Sequence, residues 1–155
     1  FNGDDFDDIL WRNDIGNVVT LLGEAGGSFI GNVNFALNPG LHCHIEGPGD
    51  FNGDGFDDIL WRNDAGTITD LLGQDNGAFV GNVANLNVNP GLDWNAASIG
   101  DFNGDGIDDL MLRNDDGRTI DWLGNFNGGF TDNSGVFHVN PGPDWHVQPL
   151  LDNIV

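Results

Sequence analysis

Apolar residues along this chain come in short alternating runs divided by Gly-, Asn- and Asp-rich punctuation. In its middle third, Asp57–Arg62, Thr67–Leu72, Phe79–Val88 and Trp94–Ile99 each read as a strand. Asn63-Asp64-Ala65-Gly66 reads as a tight hairpin turn between the first two, because Gly66 can supply a positive φ and Asp64 can cap its own turn. Asn89-Pro90-Gly91 is a second stop. No segment sustains a 3.6-residue apolar period, so helix content should be near zero.

The same pattern occurs three times. FNGDDFDDILWRNDIG from Phe1 returns as FNGDGFDDILWRNDAG from Phe51 and as FNGDGIDDLMLRNDDG from Phe102. Leu22-Gly23, Leu72-Gly73 and Leu123-Gly124 keep the phase, as do Asn38-Pro39-Gly40, Asn89-Pro90-Gly91 and Asn140-Pro141-Gly142. The chain therefore divides into repeat one (1–49), repeat two (50–100) and repeat three (101–151), all within one all-β domain. Four strands in roughly 50 residues, in tandem, predict β-propeller blades. A parallel β-helix uses a shorter repeat, and a sandwich needs more strands than one unit supplies. Three blades are too few to close a ring, so copies are expected to associate or the chain to belong to a longer one. That the sequence opens in the middle of a motif that recurs complete downstream points to a fragment.

Charge narrows the function. There are 25 acids against four Arg with no Lys, for a net charge of -21, and Glu24 and Glu46 are the only glutamates. Asp is a poor helix former and a good turn residue, which assigns the acids to loops. Self-repulsion of this size leaves either a thin stability margin or divalent cations that neutralise part of it, and cations are the simpler answer. Nucleic acid is excluded as a partner, since a phosphate backbone needs clustered basic residues, and an anionic membrane surface is disfavoured likewise. No apolar run is long enough to span a bilayer, and no basic leader followed by an apolar stretch is present in these residues.

The chemistry lies in Asp50-Phe51-Asn52-Gly53-Asp54-Gly55-Phe56-Asp57-Asp58. Calcium takes six to eight oxygen ligands, which such a loop delivers from side chains at positions 1, 3 and 5, a carbonyl at 7 and a further acid. Those roles fall to Asp50, Asn52, Asp54, the Phe56 carbonyl and Asp58, with Gly55 making the reversal. Asp101, Asn103, Asp105, the Ile107 carbonyl and Asp109 repeat them around Gly106. A third, less complete set is Asn2, Asp4, the Phe6 carbonyl and Asp8, where Asp5 replaces the glycine. Magnesium demands a tighter octahedron and zinc would want His or Cys. The string lacks the Glu of an EF-hand loop, and no flanking helices are predicted.

These loops, each followed directly by a strand such as ILWRND, resemble the FG-GAP/VCBS repeat. The resemblance implies propeller blades with structural calcium, an extracellular or cell-surface setting and adhesive or ligand-binding roles. Because the loops recur with the blades, calcium is expected to be structural rather than catalytic. Asp152, one period after Asp101, is expected to lend its carboxylate beside Asn2 of a neighbouring copy.

Arg12, Arg62 and Arg113 share one repeat position and are expected to pair with a loop Asp. Trp61 and Trp94 are expected to pack in or between blades, although exposed Trp would suit stacking on sugars. His42 and His44 would share a face of a strand, and Cys43, the only cysteine, reads as a small semi-buried residue. No catalytic constellation stands out. The reading is a calcium-binding structural or adhesive module and not an enzyme; the alternative is a carbohydrate-binding lectin, and a third and weakest reading is a non-catalytic appendage of an enzyme.

Overall fold

The computed structural model describes residues 1–148, and within them the chain forms three antiparallel sheets. Sheet one comprises β1 (Ile9–Arg12), β2 (Val18–Glu24) and β3 (Ser28–Leu37), in that spatial order. Sheet two comprises β4 (Cys43–Gly49), β5 (Asp58–Asn63), β6 (Ile68–Gly73) and β7 (Phe79–Gly81), again in order. Sheet three orders β11 (Phe130–Asp132), β10 (Thr119–Gly124), β9 (Asp109–Asn114) and β8 (Trp94–Gly100), with β12 (His138–Val139) also pairing with β10. Every element among the described residues is a strand. The sheets are separate and form no closed propeller, and of the three blades expected to have four strands each only the middle sheet has four, sheet one having three and sheet three five.

The sheets are also cut in a different phase from the sequence repeat. β4 precedes the loop at Asp50 yet pairs with β5 after it, and β8 likewise pairs with β9 across the loop at Asp101. The acidic loops at Asp50 and Asp101 thus each connect the first two strands of a sheet, whereas the one at the start of the chain precedes β1. The last strand of one sequence repeat becomes the first strand of the next sheet, which ties neighbours together covalently and through hydrogen bonds.

The run expected as one strand from Phe79 to Val88 is interrupted. Asn82 accepts from the amides of Asn85 and Leu86, making a turn, and pairing resumes only where Val88 exchanges two bonds with Ile68. In sheet one the corresponding interruption is a bulge within the continuous β3, where the partners of β2 jump between Val19 and Leu21. The hairpin turn forms as predicted around Gly66, at φ 88°, but its cap is Asn63: Oδ1 accepts from the amides of Ala65 and Thr67.

Burial explains the ILWR runs. β5 is buried from Asp58 to Arg62 because neighbouring sheets cover both of its faces. Ile59 and Trp61 pack with Val18 and Phe35 of sheet one, whereas Leu60 packs with Leu110 and Leu112 of sheet three. A strand covered on both sides needs no polar alternation. In β1 the equivalent Trp11 is 57% exposed.

A polar spine runs through the same layers. Asn32 donates to Thr20 Oγ1 at 2.8 Å and to the Gly77 carbonyl of the next sheet at 2.6 Å. Asn82 donates to Asp70 Oδ2 at 3.2 Å and to the Asn127 carbonyl of the following sheet at 2.9 Å. Asp70 is buried, its Oδ1 has no partner, and desolvation raises its pKa to about 6. A carboxyl with a raised folded-state pKa binds its proton more tightly when folded. The group therefore costs no stability below the unfolded value of 3.8; the penalty accumulates as pH rises from there towards about 6 and is constant above it. Replacing Asp70 with Thr, the residue at this place in repeat one, should stabilise the protein near neutral pH by about 1–3 kcal/mol and give little gain at pH 3.8. Urea unfolding of both proteins at the two pH values checks this.

Candidate metal centre

The acidic loops at Asp50 and Asp101 are each wound around their first carboxylate. Asp50 Oδ1 accepts from the amides of Gly53 at 2.7 Å and Asp54 at 3.1 Å, and Oδ2 from Gly55 at 2.8 Å. Asn52 Oδ1 takes the amide of Asp54 and Asp54 Oδ1 that of Phe56, both at 3.0 Å. Gly53 and Gly55 sit at φ 73° and 86°, the left-handed region that lets successive amides point inward. Asp101, Asn103 and Asp105 reproduce the winding with the amides of Gly104, Asp105, Gly106 and Ile107. The amide of Gly106, followed by those of Gly104 and Asp105, holds the pKa of Asp101 below the usual carboxylate value.

The ninth residue has a structural duty. Asp58 Oδ2 accepts from the Phe51 amide at 2.9 Å and Oδ1 from the Gly73 amide at 2.7 Å, so the carboxylate closes the loop and fastens it to the end of β6. Asp109 does the same for Phe102 and Gly124, and Asp8 for Phe1 and Gly23. Burial pushes Asp58 up to about 7, against the lowering effect of its two amides, and the charges on Asp54 and Asp50 push the same way. Burial likewise raises Asp109.

Sequence reasoning used the Leu-Gly pairs only as phase markers. A Cβ on Gly23, Gly73 or Gly124 would sit 2.4 Å from the carbonyl of Asp7, Asp57 or Asp108, respectively. Only glycine lets the amide approach the ninth carboxylate, and its recurrence beside the Asp-Asp pairs was the available signal.

In the first loop, the Phe6 amide is held by Asp4 Oδ1 at 3.1 Å, and Asn2 donates to Asp4 Oδ2. That bond from Asn2, with the Phe6 amide second, lowers the pKa of Asp4. Asp5 keeps the turn by adopting φ 67°, the single non-glycine residue with positive φ among those described. Asp5→Gly should therefore raise stability by about 1 kcal/mol, read as an upward shift of the thermal midpoint. Asn2 Oδ1 is buried without a hydrogen-bond partner, an orphaned oxygen of the kind a cation satisfies.

The donor chemistry fits a hard divalent cation: Asp50, Asn52, Asp54 and Asp58, and their counterparts in repeat three, are oxygen donors carried on one loop. Among the described residues no three Asp, Glu, His or Cys side chains converge on one point, since the loop acids are turned toward amides. Asp152 lies outside the described residues.

The arginines correct an expectation. Arg12, Arg62 and Arg113 donate to the carbonyls of Gly40, Gly91 and Gly142, at 2.6, 2.8 and 3.1 Å, pinning the Asn-Pro-Gly turns instead of pairing with loop acids. Those turns present bent, outward carbonyls at the reach of a guanidinium, whereas the acids are already saturated by amides nearby. Arg118 pairs with Asp116 at 2.8 Å and lies 5.3 Å over the Trp94 ring. His44 Nε2 meets Asp64 Oδ1 at 2.7 Å, a bridge that Asn95 and Asp115 repeat in sheet three. His42 precedes β4 in a turn, so the strand alternation expected to align it with His44 does not apply. Cys43 is half-buried against the inter-sheet core, Trp61 is buried there, and Trp94 is half-buried beside its neighbour.

Fold and site together define an all-β repeat module in which antiparallel sheets of three to five strands carry acidic, glycine-turned loops, two of them at inter-strand connections. Residues 50–112 match the family model described as the FG-GAP-like repeat, a stretch running from one such loop through the next and into β9. No curated protein and no solved structure matches the chain.

Proposed function

We propose that this chain is a non-catalytic, calcium-stabilised repeat module of a secreted or cell-surface protein, with a structural or adhesive role. The observation that carries the reading is the distribution of the protein's arginines. Every Arg is committed to a turn carbonyl or to Asp116, and none reaches a loop acid. Carboxylates at positions 1 and 5 of the loops at Asp50 and Asp101 are thus carried on the same tight loop with only amide dipoles to offset their charge. Calcium supplies the missing charge and satisfies the oxygen donors. Asp50, Asn52, Asp54, the Phe56 carbonyl and Asp58 would hold one ion; Asp101, Asn103, Asp105, the Ile107 carbonyl and Asp109 a second; Asn2, Asp4, the Phe6 carbonyl and Asp8 a third. Extracellular calcium is abundant enough for weak sites of this class to fill.

Calorimetric titration should show two or three calcium ions per chain, and chelation should lower the thermal midpoint. Silence in both measurements defeats the reading. Asp50→Ala and Asp101→Ala should each remove one ion from the count.

Glycan binding is a second reading supported by one cavity of about 410 Å³, lined by Trp94, Ile120 and Val139 with Arg118, Ser134, His138 and Asn140 at its polar edge. Aromatic floor and polar rim suit a sugar ring. The Trp grooves do not recur, since the place of Trp94 is taken by Cys43 in sheet two. Such binding would be monovalent and lost in Trp94→Ala.

A further inference from the structure

We infer, resting on the calcium reading above, that the loops at Asp50 and Asp101 bind calcium cooperatively, and that Asp108, a ligand in neither, is the positioning residue that couples them. Asp108 is the eighth residue of the loop at Asp101, so it lies between two of that loop's ligand positions, the Ile107 carbonyl and the Asp109 carboxylate. Its own polar groups serve the preceding loop. Asp108 Oδ2 accepts from the Asp50 amide at 2.9 Å, and the Asp108 amide donates to the Asp50 carbonyl at 2.8 Å. Both backbone polar groups of the first ligand of one loop are thereby held by a residue wedged between the seventh and ninth positions of the next.

The contact has little slack. A Cβ on Gly49, the neighbour of Asp50, would lie 2.8 Å from Asp108 Oδ2, so a glycine there is what admits the carboxylate. On the far side a Cβ on Gly124 would lie 2.4 Å from the Asp108 carbonyl, while the Gly124 amide donates to Asp109 Oδ1 at 2.9 Å. Gly53 of the earlier loop lies against Ile107, with 2.9 Å from its Cβ position to that side chain. A shift of residues 107–109 is therefore passed to Asp50, to Gly53 or to the end of β10.

Ordering and charge together set the sign of the coupling. In both loops the first carboxylate is engaged with amides, and among the described residues no three acidic side chains converge, so filling either loop requires its ligands to be drawn together. Once the Ile107 carbonyl and Asp109 are fixed on an ion, Asp108 is fixed between them, and the Asp50 backbone is ordered before its own ion arrives. The second loop to fill meets a smaller ordering cost, which is positive cooperativity. Repulsion between the ions opposes this, but the strings 50–58 and 101–109 carry eight aspartates, so two divalent ions leave four negative charges in excess. Linkage is reciprocal: filling the loop at Asp50 strengthens the loop at Asp101 by the same factor.

The test is a calcium titration of the whole chain followed by proton–nitrogen correlation NMR, read at the amides of Gly55 and Gly106, each of which donates to the first carboxylate of its own loop. In the wild type both amides should shift together and more steeply than a single-site curve. Asp101→Ala, which empties the later loop, should raise the calcium midpoint read at Gly55 about five-fold or more. In a chain already carrying Asp108→Ala, adding Asp101→Ala should leave the Gly55 midpoint where it was, an outcome that a merely structural role for Asp108 does not produce. Asp108→Asn retains an oxygen that can accept from the Asp50 amide and should keep the coupling. A Gly55 midpoint unmoved by Asp101→Ala, with Gly55 still responding to calcium, overturns the inference and leaves the calcium reading standing. A five-fold effect that survives Asp108→Ala, or that is lost in Asp108→Asn, overturns the positioning role. Amides that never respond overturn the calcium reading and the coupling with it.

Discussion

Phe51→Ala is expected to destabilise the protein by about 3–5 kcal/mol, with the denaturation midpoint falling in urea and the slope unchanged. Phe51 is the second residue of an acidic loop, flanked by Asp50 and Asn52, a setting that reads as solvent-facing. Its side chain is nevertheless fully buried, in the core cluster that unites Leu60 and Ile68 of sheet two with Leu110 and Leu112 of sheet three. Truncation removes the edge-to-face contact with Phe130 and opens a cavity between two sheets that cannot close on one another without moving the loop. A loss below about 1 kcal/mol would show that the sheets relax into the space.

The strands and turns were legible because their signals are local. Short apolar runs between turn residues marked β5, β6 and β8 within a residue of their observed bounds, and the Asn-x-x-Gly and Asn-Pro-Gly punctuation fell at the turns. The interruption after Gly81 was not legible, because Asn82 leaves the strand to serve Asp70 and the Asn127 carbonyl, and both partners are remote in sequence. The arginines misled for a related reason. Their recurrence beside an acidic loop suggested charge pairing, but the turn carbonyls that take them lie about 30 residues downstream and carry no signature in composition. The phase of the sheets is likewise a property of strand pairing, since the sequence repeats with the same period wherever it is cut.

What the repeat encodes is therefore a junction as much as a loop. Nine residues carry alternate tasks: Asp50, Asn52 and Asp54 face the loop interior, Phe51 enters the core, Gly53 admits the next sheet, and Asp58 fastens the loop to β6. An ion bound at the interior positions would stiffen the segment that carries the inter-sheet contacts, so that metal binding and sheet stacking share one mechanical element. The Asp50 amide and carbonyl reinforce the coupling by bonding Asp108 of the next loop, at 2.9 Å to its carboxylate and 2.8 Å to its amide. Burial raises the pKa of Asp108, and the charges of Asp50, Asp57 and Asp101 add to it, so neighbouring loops feel each other electrostatically as well.

Asp58 separates the two roles that the loop combines. Asp58→Ala should cost about 3–5 kcal/mol, because it strands the buried amides of Phe51 and Gly73 together, and neither has room to reach water. Asp58→Asn keeps the shape and one acceptor but turns an NH₂ toward one of those amides, for an expected cost of about 1–3 kcal/mol. Thermal melts of the Asn variant in calcium and in chelator divide the duties. A carboxylate that is also a ligand makes the calcium-dependent shift of the midpoint shrink in the variant. A carboxylate that only clamps lowers both midpoints equally and leaves that shift intact. The first outcome is expected: once the amides are satisfied each oxygen retains a lone pair, and a cation beside Asp50 and Asp54 would lower the pKa that burial has pushed up to about 7, keeping Asp58 ionised inside the fold.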